Sequence, residues 1–369
     1  MTNLVLTGGG TAGHVLPNIA LIHEAKTALG QAVRENKVAV HYIGSHEGME
    51  RELVSRTVPN WPYIPIEAGR LRRFLTLRNL FTPFKVTAGF LNARQALKDV
   101  QATAVFSKGG FVSAPVVWAA WWLGIPVVIH ESDLSPALTT KMTIGCATKA
   151  FVAFEDTKRA FAEKHQDKVE VVGIPLRTEL FRADKKLAIA HFGLNGNKKT
   201  LLVFGGSLGA KVLNEAMVQA IRPLSEKLNI IHLVGKGKAF AVENAPDYHQ
   251  FEYLQEHMSL ALAAADIALC RAGASSIFEL AALRIPMILV PLDLDQSRGD
   301  QIENAHYFQE RKWADVLREK DLSAMAITNS VEAAIDEWDK RKAYLESAPS
   351  TFAIERIGDT LLQLMNVAP

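Results

Sequence analysis

A chain of 369 residues with 49% apolar and 22% charged residues has the balance of a globular protein and is too long for one ordinary core, so two domains are expected. A formal net charge of +2 is too small to argue for a nucleic-acid partner. The two cysteines, Cys146 and Cys270, lie far apart in apolar settings and read as reduced core thiols of a cytosolic protein, excluding a disulfide framework.

The chain starts without the basic segment and apolar core of a signal peptide. Leu4-Val5-Leu6 leads directly into glycines, and LVLTGGGTAGHVLPNIAL (Leu4 to Leu21) predicts strand, glycine turn and helix. Further strands are expected at VAVHYIG, AVFS, PVVIHE and KAFVAF. The longest apolar run, Phe111 to Ile129, approaches the ~20 residues of a membrane span. Pro115, Gly124 and Pro126 interrupt it, which predicts a helix from about Pro115, a stop, and a buried strand Val127-Val128-Ile129. In the second half, strands are expected at TLLVFGGS, IIHLVG, HQFEYL, IALCRAG and PMILVPL, and FGGSLGAKVLNEAM (Phe204 to Met217) repeats the opening strand–turn–helix theme.

Strands alternating with helical stretches indicate βαβ units and parallel sheets. The fold class is therefore α/β, with two Rossmann-like, doubly wound domains expected over residues 1–165 and 166–349. Gly173 and Pro175 interrupt the pattern in VVGIPLR, Val171 to Arg177, near which the boundary should fall. Apolar residues at helical spacing in TFAIERIGDTLLQLM predict a last helix. The carboxyl ends of both sheets, facing a cleft between lobes, are the expected ligand site.

Gly8 to Gly13 fits G-x-G-x-x-G, a turn that offers backbone N–H groups to an anion at a helix N-terminus. A dinucleotide site would add an acid about 20 residues further on. Here the second strand ends in Gly44-Ser45-His46 and Glu47 comes too late, which weakens the dehydrogenase reading. His14, in the first helical turn, feels the positive end of the dipole, which disfavours imidazolium and suits a general base. Such a histidine is also commonly structural. Lys108-Gly109-Gly110 is a second candidate anion loop, or a plain turn. In CRAGASSIFELAAL, Ala274, Ser275 and Ser276 begin a helix able to face a diphosphate, while Glu279 suits two ribose hydroxyls or the role of a first-turn acid. Asp300 and Gln301 suit sugar hydroxyls, though Asp300 also reads as a helix cap. Asp293-Leu294-Asp295 matches a short metal-binding motif of some sugar transferases, but helix dipoles, Ser207 and Arg177 suffice to balance a diphosphate; no metal and no other cofactor is expected. Between Gly69 and Leu91, Arg70, Arg72, Arg73, Arg78 and Lys85 alternate with Leu75, Leu77, Leu80, Phe81 and Phe84, a mixture that suits an anionic membrane surface or an ordinary surface helix.

Taken in order, GGGTAGHVLPN, SKGGFVSAP, HESDLSPALTTK, VVGIPLR, FGGSLGAKVLNEA and CRAGASSIFELAAL resemble the MurG family of peptidoglycan glycosyltransferases over nearly the whole chain. The resemblance implies a GT-B fold, with an acceptor- and membrane-facing first domain, a UDP-sugar-binding second domain, and residues 350–369 returning to the first. It implies transfer of N-acetylglucosamine from UDP-N-acetylglucosamine to the 4-hydroxyl of the muramoyl sugar of lipid I, with inversion, giving lipid II at the cytoplasmic face of the membrane. Position by position, Thr11, Ala12 and Gly13 match the turn near the donor sugar, and Arg177 and Ser207 match diphosphate contacts. Leu254 matches a uracil contact, Ala274 to Glu279 the nucleotide-binding helix, and Gln301 a sugar contact. His14 is the expected base, and Glu131 is a second candidate base or a loop brace. Ala12 stands where the family usually has Gly, Asp133 where it has a sugar-contacting Asn, and Asp300 where some members have Gln; an ionised acid accepts hydrogen bonds but donates none. A UDP-sugar 2-epimerase of the same fold, an NAD-dependent oxidoreductase and a non-catalytic nucleotide-sugar binder are the alternatives.

Overall fold

The computed structural model describes residues 2–24, 26–69, 82–206, 209–254, 257–294, 297–348 and 352–368, with backbone only for 82–84. It divides into two compact units, residues 1–177 with 351–369, and residues 178–350.

The first unit holds seven strands: β1 (Thr2–Thr7), β2 (Val38–Ser45), β3 (Tyr63–Ile66), β4 (Ala104–Ser107), β5 (Val127–Glu131), β6 (Lys149–Val152) and β7 (Val169–Val171). They pair in parallel in the order β3-β2-β1-β4-β5-β6-β7. The second unit holds β8 (Thr200–Phe204), β9 (Asn229–Leu233), β10 (Tyr248–Phe251), β11 (Ile267–Cys270), β12 (Met287–Leu289) and β13 (Asp315–Val316), parallel in the order β10-β9-β8-β11-β12-β13. Each sheet therefore reverses its winding once, between β1 and β4 and between β8 and β11. Those two points are where open α/β sheets bind ligands, at the carboxyl ends of the strands.

The central strands explain the sheet class. Every residue of β4, β5, β8, β9 and β11 is buried, so their sequences are dominated by apolar residues on both faces instead of alternating, with His130, Glu131 and His232 among the buried polar exceptions. Strands β3, β7 and β13 were not expected from sequence, and each is an edge. Pro65 in β3 lacks a donor, Glu170 interrupts β7, and β13 is two residues long.

The long apolar run forms the helix Ser113–Trp122 and then β5, with Gly124 at φ +71° between them. Val116, Val117, Ala119 and Ala120 of that helix lie in the core of the first unit. Among the described residues no helix is long and apolar enough to cross a membrane. Cys270 is buried and Cys146 partly buried, and both are free thiols. Burial pushes the Cys270 thiol up.

The division of the chain differs from the expected 165/166 boundary. Residues 166–177 belong to the first unit because β7 pairs with β6, Ala150 opposite Val169 and Val152 opposite Val171. The last helix, Ala353–Leu364, also packs in the first unit. Its Ile354, Ile357, Leu361 and Leu362 join Leu4, Leu6, Leu21 and Leu29 in one buried cluster. Gly358 permits that approach, since a Cβ there would lie 3.2 Å from Cβ of Leu29. Arg356 reinforces the packing by donating to both oxygens of Glu170, at 2.5 and 2.9 Å, while Lys149 pairs with the same carboxylate at 2.8 Å. These cations, Arg356 foremost, hold the Glu170 carboxyl down at about 2.

Candidate active site

In the first unit, the turn after β1 and the turn after β4 lie side by side. Gly9 N–H donates to the Gly109 carbonyl at 3.3 Å, and Gly110, at φ +88°, leaves no room for a side chain because a Cβ would sit 2.2 Å from the Gly9 oxygen. The helix Ala12–His23 follows, with Thr11 as an N-cap that makes no side-chain capping bond. Here the structure corrects the expectation of an open anion cradle. Gly10 N–H donates to Oε2 of Glu50 at 3.1 Å, and Oε1 of the same carboxylate accepts from Ser45 N–H at 3.1 Å and from Ser45 Oγ at 2.5 Å. Glu50 is fully buried on the helix Met49–Thr57. The chain thus supplies its own anion to this turn. A dinucleotide pyrophosphate would need the Gly10 amide that Glu50 holds, which argues against the NAD-dependent alternative.

His14 leaves the first helical turn and folds back over the glycines. Its Nδ1 lies 2.8 Å from the Gly9 carbonyl oxygen and 3.2 Å from Thr11 Oγ1. A carbonyl oxygen only accepts, so Nδ1 carries the proton in the neutral ring and the lone pair is on Nε2. Nε2 points toward the second turn, 3.9 Å from where a Cβ on Gly109 would sit. The ring is therefore oriented and in the tautomer that accepts a proton on Nε2.

Glu131, at the end of β5, has both oxygens committed. Oε1 accepts from the N–H groups of Ser132 (2.9 Å) and Asp133 (3.1 Å), and Oε2 from Ala137 N–H (2.9 Å) and the Thr140 hydroxyl (2.6 Å). This geometry braces the loop 132–137 and fits a proton acceptor poorly. Lys108 is fully buried beside it, with Nζ donating to Ser132 Oγ. Burial pulls the ammonium down to about 8, opposed by the Glu131 and Asp133 carboxylates. His130 Nε2 bonds the Gly173 carbonyl at 2.7 Å, and burial, with the Lys108 charge, holds the ring well below the usual histidine range.

In the second unit the same theme recurs at β8 and β11. After β8 comes a turn in which Gly206 and Gly209 take positive φ, +87° and +67°, and Gly209 N–H bonds the Gly206 carbonyl at 2.9 Å. A Cβ on Gly209 would lie 2.2 Å from the Val234 oxygen, so the turn sits tight against the end of β9. After β11, Gly273 is the N-cap of the helix Ala274–Ala282 and brings no side-chain acceptor. The first-turn amides of Ala274, Ser275 and Ser276 are thus uncapped, with Ser275, Ser276 and Glu279 partly exposed. An uncapped helix N-terminus with partly open serines suits a diphosphate. Cys270 pairs in register with Phe204, so the glycine turn and this helix start at neighbouring strand ends.

Arg271, missed by the sequence reading, anchors that corner. Buried, it pairs with Glu319 at 2.8 Å and donates to the Val290 carbonyl at 3.2 Å, tying β11 to the end of β12. His232 on β9 does similar work. Its Nε2 donates to Asn214 Oδ1 (3.2 Å), its Nδ1 accepts from Tyr248 (3.0 Å), and burial lowers it to about 4.

The remaining expected residues fall as follows. Thr11, Ala12, Gly13 and His14 gather at the first glycine turn, and Asp133 lies on the braced loop. Arg177 is the last residue of the first unit and Leu254 is buried beyond β10. Gln301 Oε1 accepts from Leu292 N–H at 3.2 Å, and Asp300 Oδ1 accepts from Arg298 N–H at 3.2 Å, so both shape the loop before the helix Asp300–Glu310. Ser207, Leu75, Leu80 and Phe81 lie outside the described residues, as do Asp295 of the D-x-D match and the side chain of Phe84. No group of three or more histidine, cysteine or acidic residues fit for a metal occurs among the described residues.

Residues 4–152 match the glycosyltransferase family 28 N-terminal domain, and residues 200–361 match the glycosyltransferase family 28 C-terminal domain. A UDP-N-acetylglucosamine--N-acetylmuramyl-(pentapeptide) pyrophosphoryl-undecaprenol N-acetylglucosamine transferase of Staphylococcus aureus (strain MRSA252) is 40% identical over 363 residues, 98% of this chain and 99% of its own length. Among solved structures, Acinetobacter baumannii MurG aligns with a TM-score of 0.74 at 25% identity, covering 98% of this chain and 100% of that one. A UDP-GlcNAc 2-epimerase from Neisseria meningitidis aligns with a TM-score of 0.68 at 14% identity, covering 99% of this chain and 100% of that one, a likeness of fold alone. With both family domains in order and near-full-length identity to a MurG-type transferase, the chain belongs to glycosyltransferase family 28 and, within it, to the MurG-type N-acetylglucosamine transferases.

Proposed function

We propose that this chain transfers N-acetylglucosamine from UDP-N-acetylglucosamine to the muramoyl 4-hydroxyl of lipid I, with His14 as the base. The first unit takes the acceptor and the second takes the donor. The observation that carries the role of His14 is its 2.8 Å bond from Nδ1 to the Gly9 carbonyl, which leaves the lone pair on Nε2. The acceptor O–H proton passes to Nε2 as the oxygen forms a bond to the anomeric carbon. The bond from that carbon to the β-phosphate oxygen breaks on the opposite face, through an oxocarbenium-like state, and UDP departs. Negative charge growing on the diphosphate is met by the uncapped amides of Ala274, Ser275 and Ser276. In the second unit Ser207 adds a hydroxyl, Leu254 contacts uracil, Glu279 takes the ribose, and Asp300 and Gln301 bond the donor sugar; in the first, Arg177 adds charge and Thr11, Ala12, Gly13 and Asp133 serve sugar contacts. Glu131 serves as the loop brace that places Asp133.

The acceptor is lipid-linked, so the enzyme works at a membrane surface. Support comes from the helix Thr82–Asp99, which packs on Ser113–Trp122 and continues the basic, apolar stretch Gly69 to Leu91. There Leu91, Trp121 and Trp122 stand exposed, with Phe90 edge-on to Trp122 at 6.4 Å. Exposed tryptophans and leucines are side chains that settle at lipid headgroups.

UDP release from UDP-N-acetylglucosamine, measured with and without lipid I, tests the reaction. Release that requires lipid I is expected. Release without any acceptor, accompanied by epimerised sugar, would overturn it.

A further inference from the structure

We propose that Glu50 is a positioning residue for His14, holding the glycine turn in the one shape that fixes the histidine tautomer; this deepens the role given to His14 above and rests on it. Glu50 carries a carboxylate with no exposed surface, and no cation pairs with it among the described residues. An unpaired buried charge is costly unless hydrogen bonds replace its water. The bonds are concentrated on the turn. Ser45 offers both its N–H and its hydroxyl to Oε1, at 3.1 and 2.5 Å, and Gly10 offers its N–H to Oε2 at 3.1 Å.

Two glycines make room for that carboxylate, and a third donates to it from a positive-φ turn. A Cβ on Gly9 would meet the Glu50 carboxyl carbon at 2.7 Å, and one on Gly48 would meet it at 2.2 Å, while Gly10 needs φ +91° to aim its amide inward. The glycine pattern that reads as a phosphate loop is therefore shaped around an internal carboxylate. The consequence reaches the site through a single peptide unit. Glu50 holds the N–H of the Gly9–Gly10 peptide, and the carbonyl of that same peptide accepts the His14 Nδ1 proton at 2.8 Å. An acceptor on one end of a peptide also polarises the carbonyl on the other, strengthening the second bond. Tyr42 steadies the preceding carbonyl, donating to Gly8 O at 2.7 Å, so the peptide has little freedom other than the one Glu50 controls.

The test is Glu50→Gln, with Glu50→Asp as a second variant, in the full-length protein. Glutamine presents one acceptor atom to donors that now use two oxygens, so the Gly9–Gly10 peptide loses its fixed tilt. The first readout is the nitrogen NMR of the His14 ring. The wild type is expected to show the proton on Nδ1, and E50Q a mixture of both tautomers. The second is kinetic: kcat is expected to fall about tenfold or more, the scale on which a supporting residue acts, with the KM for UDP-N-acetylglucosamine unchanged. Added to His14→Ala, E50Q is expected to cost nothing further. A pure Nδ1–H tautomer in E50Q, or full kcat, overturns the proposal. If E50Q does not fold, as judged by loss of the cooperative thermal transition of the first unit, the same readings on E50D decide, since a shortened carboxylate also withdraws from Gly10. Turnover that survives His14→Ala would remove the base reading alone, because the ring NMR still reports whether Glu50 sets the tautomer.

Discussion

The Nδ1 atom of His14 lies 2.8 Å from the carbonyl oxygen of Gly9, five residues before it in the chain. A helix that begins directly after a glycine turn can return its first-turn side chains onto that turn, and this one does. The bond decides which ring nitrogen carries the proton, and so which one can take a proton from an acceptor hydroxyl.

His14→Ala removes the acceptor atom and leaves the second unit untouched. A positioned general base contributes about 10²–10⁴-fold, and turnover is expected to fall within that range. Donor affinity, read by titrating UDP-N-acetylglucosamine, is expected to stay at the wild-type value. Turnover within twofold of wild type, roughly the size of a peripheral effect, would exclude His14 from proton transfer.

Gly273→Asp separates the two uses of a helix N-terminus. Gly273 has ordinary extended dihedrals, φ −71° and ψ 133°, and a Cβ there would meet nothing within 4 Å. Aspartate fits and is a strong N-cap, accepting from the amides of Ser275 or Ser276, so stability is expected to hold or rise by a few tenths of a kcal/mol. The same carboxylate occupies the anion's place and repels it. Donor binding is expected to weaken about tenfold or more, the worth of one charge-assisted hydrogen bond, while the thermal midpoint is maintained. Unchanged donor affinity would show that the diphosphate lies elsewhere.

Much of this was legible in the sequence because its cause is local. Strands β4, β5, β8 and β11 are buried on both faces and so spell themselves as apolar runs, and the glycine turns and helix starts follow from short patterns around Gly8, Gly109, Gly205 and Gly273. What was not legible depends on distant partners. Glu50 reads as an ordinary first-turn acid, and only the fold brings it under Gly10, 40 residues earlier. Arg271 finds Glu319 across 48 residues. The edge strands β3 and β7 escape notice because half-exposed strands tolerate Pro65 and Glu170, while the Gly173–Pro175 interruption does lie at the observed division after Arg177.

His232 gives the second unit a dependence on acid. Buried and neutral, it accepts from Tyr248 and donates to Asn214, which in turn donates to the Val234 carbonyl at 2.9 Å. Its folded value of about 4 lies below the unfolded 6.5, so between those values the unfolded chain binds more protons. Stability from this group is complete above pH ~6.5 and declines as pH falls toward ~4, by about 3 kcal/mol in all. Urea unfolding followed at intervals across that range is expected to show the decline, and His232→Gln to flatten it. An unaltered slope in the variant would assign the acid sensitivity to other groups.

The last helix is expected to be indispensable to the first unit although it follows the whole second unit in sequence. Leu361 is fully buried among Leu4, Leu6 and Leu29, and Leu361→Ala should cost roughly 2–5 kcal/mol through reduced burial and the cavity left behind. Arg356→Ala acts differently, since it strips the main partner from Glu170, whose carboxyl Arg356 and Lys149 hold at about 2. A depressed carboxyl stabilises the fold above its unfolded pKa and loses that contribution as pH falls through the folded one. Arg356→Ala is therefore expected to destabilise at pH 7 by about 1 kcal/mol for a partly exposed pair, and to have its effect shrink toward pH 2. Calorimetry of the two variants distinguishes the mechanisms, because the Leu361→Ala effect should be the same at either pH. Removal of residues 353–369 that left the first unit's melting unchanged would show that this helix is an accessory to that core.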